Sequence, residues 1–135
     1  MKKLQLLRAL FVGLWVWLAS ASLHAADWMA VGLYEQGAFY IDRETMARTG
    51  SIRKVWTMLD YRQPQTSSQG KTYRSTRTLM AFDCARSYVQ SLSMSLHSGP
   101  TLRGDVLTSE GIIREWQPVP PQTPIAIIMA NVCER

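Results

Sequence analysis

The chain ends in TPIAIIMANVCER, residues 123–135, and this segment decides how the fold is closed. Thr123 is a good helix N-cap, and Pro124 would take the first helical position, where its missing N–H costs nothing. The apolar residues that follow recur at the spacing of one helix face: Ile125, Ile128, Met129 and Val132. Because a helix of about ten residues is marginal alone, we expect this face to pack on the rest of the chain.

The predicted helix ends in Cys133, and the chain has one other cysteine, Cys84. Cys84 follows an apolar run, residues 79–82, which favours a central strand. Two cysteines of one exported domain pair by default, whereas a redox-active pair would usually lie closer in sequence. We therefore predict a Cys84–Cys133 disulfide that ties the helix to the sheet face carrying Met80 and Phe82.

Upstream of the helix the sequence is typical of strands separated by turns. Strand patterns occupy residues 28–34, 38–42, 51–63, 72–87, 88–98, 102–109 and 112–116. The clearest alternation sets Leu92, Met94 and Leu96 against serines, which predicts one buried and one wetted face. The predicted fold class is α+β, with a single antiparallel sheet of about six strands and the C-terminal α-helix packed on one face and tethered by the disulfide.

The connections follow from turn chemistry. Residues 43–50 read as a polar connection with room for one helical turn, and residues 64–70, PQTSSQG, read as an exposed, mobile loop. Prolines 118, 120 and 121 are expected to end the sheet, because proline cannot donate to a strand ladder.

The first 25 residues resemble a bacterial export signal, with Lys2, Lys3 and Arg8 ahead of an apolar stretch of about a dozen residues. A retained membrane anchor is the alternative, but that stretch is short of the roughly 20 residues that a spanning helix needs. We predict cleavage near Ala25, leaving a single domain over residues 26–135 with no transmembrane segment. No cysteine lies near the cleavage site, so we expect no lipid anchor.

Removal of this signal changes the charge of the protein. Three of the 15 basic residues leave, so 12 face 10 acidic ones and the net charge is +2 rather than +5. A domain with so small a basic excess is not expected to bind nucleic acid.

Few residues of the sequence are candidates for catalysis or metal binding. His97 is the one histidine after the signal, and we interpret it as an exposed strand residue. Asp42 and Glu44 could hold a cation or act as acid and base, but a solvated turn explains them better. No convergent set of titratable groups is evident, so we predict no enzyme, no cofactor and no metal site.

Basic side chains offer a surface for a protein partner. Arg74 and Arg77 are the candidate partner-binding residues, within a wider set that includes Arg53, Lys54, Lys71 and Arg86. An ordinary charged outer face is the alternative. Trp56, Met58, Leu79 and Ala81 leave the sheet face opposite the helix partly apolar, which hints at a homodimer.

The triplet Arg103-Gly104-Asp105 spells the tripeptide that integrins recognise. A flexible turn can offer its cation and its carboxylate at opposite ends, and the carboxylate can complete a metal site of the partner. Val106-Leu107 follow at once and read as strand, so a plain strand or hairpin is the alternative.

Several segments in order resemble the bacterial surface-adhesin protein E family: FYIDRETMARTGSIRKVWTMLDY at 39–61, YRSTRTLMAFDCARSYV at 73–89, SEG at 109–111, EWQPVPPQTP at 115–124 and VC at 132–133. The resemblance implies a curved antiparallel sheet with a disulfide-tethered helix, and dimerisation. The adhesin that names the family is an outer-membrane lipoprotein that binds host extracellular-matrix and serum proteins. This chain departs from it by lacking a lipidation cysteine.

Two functions are therefore expected. The first is an exported, non-catalytic, adhesin-like binding protein that contacts a protein partner, such as a host matrix protein, from the periplasm or cell surface of a Gram-negative bacterium. The second is a periplasmic accessory or inhibitor protein that acts on an envelope partner.

Overall fold

A computed structural model of the protein describes residues 26–111 and 114–134. The strands are β1 Trp28–Tyr34, β2 Gly37–Asp42, β3 Ala47–Thr49, β4 Ile52–Thr66, β5 Thr72–Asp83, β6 Tyr88–His97, β7 Val106–Gly111 and β8 Gln117–Pro118. A 3₁₀ turn spans Pro100–Leu102, and the helix α1 spans Pro124–Cys133. The predicted α+β class is confirmed. The predicted export signal, residues 1–25, lies outside the described residues.

The strands form one antiparallel sheet in the order β1-β2-β4-β5-β6-β7, with β3 beside β4 and β8 beside β6. The described part of the chain therefore holds eight strands, more than the six or so predicted. The two additional strands are three and two residues long. Segments that short carry no recognisable period, so the sequence pattern does not reveal them.

One face of the sheet, called here the helix-covered face, carries the hydrophobic core. Ile41 of β2, Val55 of β4 and Phe82 of β5 are fully buried against Ile128 and Val132 of α1. The surrounding apolar side chains are partly buried: Met29, Val31, Phe39, Met46, Met80, Val89, Ile125 and Met129. The prediction that the helix packs beside Met80 and Phe82 is confirmed.

Local sequence signals define both ends of α1. The Thr123 hydroxyl accepts a hydrogen bond from the Ala126 amide at 3.3 Å, and Pro124 takes the first turn. At the other end Cys133 is bonded to Cys84, with 5.7 Å between the two Cα atoms. The predicted disulfide is confirmed, and it joins the end of the helix to the residue that follows β5.

The opposite side of the sheet is called here the open face. Because directly paired residues share a face, the strand register places its central members. Trp56 pairs with Leu79, and Met58 pairs with Arg77. The neighbouring positions on β6 are Ser93, Ser95 and His97.

The predicted loop at residues 64–70 is wrong in extent. β4 continues to Thr66, and only a tight turn follows before β5. Pro64 is tolerated because it lies within a register shift between Asp60 and Gln65, where its missing N–H removes no ladder bond. The Lys71 ammonium bonds the Leu107 carbonyl at 2.8 Å, so the end of this hairpin is attached to β7.

The polar connection at residues 43–50 also differs from expectation. It contains β3, which pairs with Ile52–Lys54, and it forms no helical turn. The chain reverses instead around the Asp42 carboxylate, which accepts hydrogen bonds from the Glu44 amide and the Thr45 hydroxyl.

The last strands are shorter than predicted. β7 begins only at Val106, because the 3₁₀ turn and a tight loop occupy residues 100–105. Of the strand predicted at 112–116, residues 112–113 lie outside the described residues and 114–116 are not strand. Pro118 is itself the last residue of β8, opposite Tyr88 on the edge of β6, where its missing N–H is tolerated. Pro120 and Pro121 follow this last strand, so the sheet ends at the prolines as predicted.

The serine alternation on β6 also holds only in part. Thr78 pairs with Met94 and Leu79 with Ser93, as alternation requires, but a register shift follows and Met80 pairs with Ser91. The shift moves Ser91 to the helix-covered face. The serines are half-buried rather than wetted.

Candidate functional site

Arg77 and Trp56 form the most distinctive contact on the open face. The Arg77 guanidinium carbon lies 3.7 Å from the centroid of the Trp56 ring, which is a cation–π stack. Both side chains are half-buried, as is Leu79 beside them. The contacts of α1 lie on the other side of the sheet, and the 3₁₀ turn packs across one end of the open face.

Arg74, the other predicted partner-binding residue, lies on the helix-covered face. Arg77 is the third residue after Arg74 on a continuous strand, so the two side chains point to opposite sides of β5. Its guanidinium donates twice to the Tyr61 carbonyl, each time at 3.2 Å. The structure therefore does not bring Arg74 and Arg77 into one patch.

A groove of about 360 Å³ lies on the helix-covered face beyond the N-terminus of α1. Its walls combine aromatic rings, aliphatic side chains and threonine hydroxyls: Tyr34, Phe39, Leu59, Tyr61, Met80, Ile125, Ile128, Thr57, Thr76 and Thr78, with Gln36 and Pro124 at its ends. The groove exists because α1 is too short to cover the whole sheet face.

The aromatic wall of the groove continues into a small cluster. The Tyr61 and Tyr73 rings meet edge to face with centroids 5.6 Å apart, and Tyr34 meets Phe39 at the same separation. Burial, followed by the neighbouring Tyr73 and Tyr34 hydroxyls, raises the pKa of Tyr61 to about 12. The phenol is therefore neutral at physiological pH and can act as a hydrogen-bond donor.

His97 is not the exposed residue that the sequence predicts. Its side chain is 8 % exposed, opposite Ser75 on the open face, and its Nε2 lies 3.0 Å from the Ser95 hydroxyl. Burial and the positive charge of Arg77 lower the pKa of His97. The ring is therefore a packed neutral group, with no carboxylate among its contacts in the described residues.

The Asp42 and Glu44 pair is a solvated turn only in part, because Glu44 is exposed in a turn whereas Asp42 is not. Asp42 is fully buried, and its carboxylate accepts bonds from the Asp27 amide, the Glu44 amide and the Thr45 hydroxyl. These three hydrogen bonds make Asp42 a structural cap of the turn.

Asp83 plays the same structural part beside the disulfide. Its carboxylate accepts from the Ser51 hydroxyl and from the amides of Ala85 and Arg86. The Arg86 guanidinium bonds it at 2.7 Å, and that bond lowers the pKa of Asp83.

Within residues 26–111 and 114–134, His, Cys, Asp and Glu side chains nowhere gather in a group that could hold a metal ion. The same residues contain no helix with the length and hydropathy needed to cross a bilayer.

The integrin-type triplet lies in the loop of the antiparallel hairpin that β6 and β7 form, as the hairpin alternative predicts, and it is not in a strand. Arg103, Gly104 and Asp105 are all exposed. Residues 98–105, called here the triplet loop, pack on one end of the open face, where the Thr101 amide donates to the Asp60 carboxylate.

Two features of these faces cannot be predicted from the sequence. The stacked Arg77 and Trp56 are diagonal neighbours on strands whose register is visible only in the folded sheet. The groove depends on where the helix stops over the sheet. For the two candidate arginines the sequence does hold a signal. Their odd spacing, three positions on one strand, assigns Arg74 and Arg77 to opposite faces.

Comparisons with known proteins agree with this fold. Three structures of protein E from Haemophilus influenzae superpose on the chain. The first shares 14 % identity with a TM-score of 0.59 and covers 78 % of this chain and 75 % of its own. The second shares 15 %, with a TM-score of 0.59 and coverages of 78 % and 87 %. The third, crystal form II, shares 13 %, with a TM-score of 0.60 and coverages of 81 % and 97 %.

At these identities the structural likeness establishes the fold alone. The comparison with curated protein sequences found no match. The profile of the family described as Surface-adhesin protein E matches residues 28–134, nearly the whole of the described chain. The chain therefore belongs to the Surface-adhesin protein E family, and it is an adhesin-like, exported or surface protein.

Proposed function

We propose that this chain is an exported, non-catalytic binding protein that contacts a protein partner through the open face of its sheet. The observation that carries the proposal is the Arg77–Trp56 stack on a face that α1 does not cover. Tryptophan and arginine are the side chains most enriched at the energetic centres of protein interfaces. A stacked, half-buried arginine has also lost much of its freedom before binding, which lowers the entropic cost of association.

The charges of the open face favour an acidic partner. Lys54 and Arg77 are its cations, and Lys54 is exposed. Of its carboxylates, Asp83 is paired with the Arg86 guanidinium, whereas Asp60 accepts from the neutral Thr101 amide and keeps its charge. Two cations thus stand against one carboxylate that has no cationic partner. The face therefore presents free positive charge around an aromatic ring, which complements a carboxylate-bearing protein surface.

Charge reversal on the two sides of β5 tests this assignment. Purified protein, with the predicted signal removed, would be titrated against a panel of immobilised extracellular-matrix proteins. Arg77→Glu should weaken binding at least tenfold, and Trp56→Ala should act similarly. Arg74→Glu is the matched control on the opposite face and should leave affinity within about twofold. Equal losses for both arginine variants, or no binding by the unaltered protein, would overturn the proposal.

A second copy of the chain is the competing occupant of this face. Sedimentation velocity of the unaltered protein and of Arg77→Glu distinguishes the two cases. A monomer in both samples supports the open face as free for a different protein. A dimer that Arg77→Glu dissociates would overturn the partner assignment, because the face would then be a homodimer interface.

Location gives an independent test. Treatment of intact cells with external protease, followed by antibody detection, should remove the protein if it is presented at the surface. Full protection, with release only after the outer membrane is opened, would contradict adhesion. That result would support a periplasmic accessory or inhibitor protein instead.

A further inference from the structure

We infer that the triplet loop, residues 98–105, is a second recognition element: it binds a receptor domain that holds a divalent cation with an open coordination position beside an acidic pocket. The inference rests on the proposed function in one respect, because the loop must reach a partner outside the cell. It differs in its residues, in its partner and in its dependence on a metal.

The loop is held in one conformation by hydrogen bonds from almost every backbone amide. Those of Ser98, Gly99 and Arg103 donate to the carbonyls of Asp105, Arg103 and Pro100 at 3.0, 2.9 and 3.1 Å. The Asp105 amide donates to the Ser98 hydroxyl at 2.8 Å. A short loop with this many internal bonds is ordered before it meets a partner, which reduces the entropic cost of binding.

The sheet fixes the base of the loop as well. The buried Ser75 hydroxyl donates to the Gly99 carbonyl at 2.7 Å and accepts from the Leu102 amide at 2.9 Å. The Thr101 amide donates to the Asp60 carboxylate at 2.8 Å. These bonds hold Thr101 and Leu102 at φ values of 51° and 63°, a region that non-glycine residues rarely adopt.

Gly104 is the residue that this geometry requires at the centre of the triplet. Its φ is +77°, and a Cβ there would lie 2.2 Å from the Ser98 hydroxyl that bonds the Asp105 amide. The absence of a side chain at Gly104 thus lets the backbone approach the Ser98 hydroxyl, and this close approach fixes the conformation of the triplet.

Both charges of the triplet remain available to a partner. Within the part of the chain that the structure describes, neither ion pair involves Arg103 or Asp105. The Arg103 Nε donates to the Thr101 hydroxyl at 3.0 Å, which orients the guanidinium while the residue stays exposed. An exposed carboxylate is a ligand that Mg²⁺ and Ca²⁺ prefer, and a guanidinium pairs with a carboxylate of the acidic pocket.

The test uses the purified chain and an immobilised RGD-binding integrin ectodomain in Mg²⁺ buffer. Binding by the unaltered protein should be abolished by a chelator and displaced by a short Arg-Gly-Asp peptide. Asp105→Glu keeps the charge but moves it by one methylene, so it should weaken binding at least tenfold. Its thermal unfolding should be unchanged, because no described contact involves the Asp105 carboxylate.

Two controls separate this inference from the proposed function. Arg77→Glu should not affect integrin binding, and Asp105→Glu should not affect binding to other matrix proteins. Binding that survives the chelator or the Asp105→Glu substitution would overturn the inference, as would no binding by the unaltered protein. Either failure leaves the result for the open face unchanged, because that is read from Arg77 and Trp56.

Discussion

The helix-covered face and the open face of this sheet meet their covering elements through different chemistry. On the first, Ile41, Val55 and Phe82 pack against Ile128 and Val132, and every member of the contact is apolar. On the second, the triplet loop is attached by hydrogen bonds to Ser75 and Asp60. Apolar contact is non-directional and tolerates small shifts, whereas each polar attachment depends on one geometry. The helix-covered face therefore stabilises the fold, whereas the open face fixes the position of the triplet loop.

The largest expected effect is on the helix-covered face, from loss of the disulfide. Replacing Cys84 and Cys133 together by alanine removes a crosslink across a sequence separation of 49 residues. The chain-entropy relation gives a loss of about 4 kcal/mol in the free energy of unfolding. Urea denaturation measures it, and the reduced, unaltered protein should be destabilised equally. A loss below about 1 kcal/mol would mean that apolar contact alone holds the helix.

A smaller loss is expected from a cavity under the helix. Ile128 is 1 % exposed, whereas its neighbour Ile127 is 45 % exposed. Ile128→Ala should lower the free energy of unfolding by about 3 kcal/mol, because it removes buried methylene groups and leaves a void. Ile127→Ala is the matched control and should cost less than about 1 kcal/mol. Equal losses in urea denaturation would show that the helix packs with a different face.

On the open face, the hydrogen bonds that attach the triplet loop should contribute less to the free energy of unfolding than Ile128 does. Ser75→Ala removes the hydroxyl that bonds Gly99 and Leu102 and leaves both backbone groups unpaired, at a cost of about 2 kcal/mol. Hydrogen exchange should show faster exchange of the Leu102 amide in this variant. Ser93→Ala, a half-buried serine on the same face, is the control and should be nearly neutral. An unchanged Leu102 exchange rate would refute the assigned attachment.

The smallest effect concerns pH. Because the pKa of His97 is lowered in the folded protein, the unfolded chain binds a proton first as the pH falls below the ordinary value of 6.5. The contribution of His97 is therefore fully present above that value and is lost as the pH falls through the folded pKa. Urea denaturation between pH 7 and pH 5 should show this decline, and His97→Gln should make it shallower. An identical slope in the variant would assign the decline to other groups.

The fold could be predicted from local patterns wherever burial imposed a period. The Ile125–Val132 stripe, the Thr123 cap and the apolar run before Cys84 each identify their element, and all three are confirmed. β3 and β8 could not be predicted, because two or three residues pair only after longer strands have placed a partner beside them. The extension of β4 through Pro64 depends on a register shift, which no local pattern records.

The candidate sites were harder to predict, because they depend on relations between distant residues. Charge alone predicts one patch that contains Arg74 and Arg77, but strand alternation places them on opposite faces. The serine alternation of its strand predicts an exposed His97, yet Ser75 and the triplet loop, which lie outside that strand, bury it. The Arg-Gly-Asp triplet is recognisable in the sequence, while its loop conformation depends on bonds to residues between 24 and 41 positions away.

The sequence by itself determined the α+β class, the disulfide and the side of the helix that packs. Each of these depends on the types of residue present and on their local spacing along the chain. The tertiary structure alone decided which side chains share a face, where the helix leaves a groove uncovered and how the triplet loop is held. Those features arise from strand register and from single hydrogen bonds between residues far apart in the chain. A register shift of one residue reverses every side chain that follows it, and no composition or period in the sequence specifies where that shift occurs.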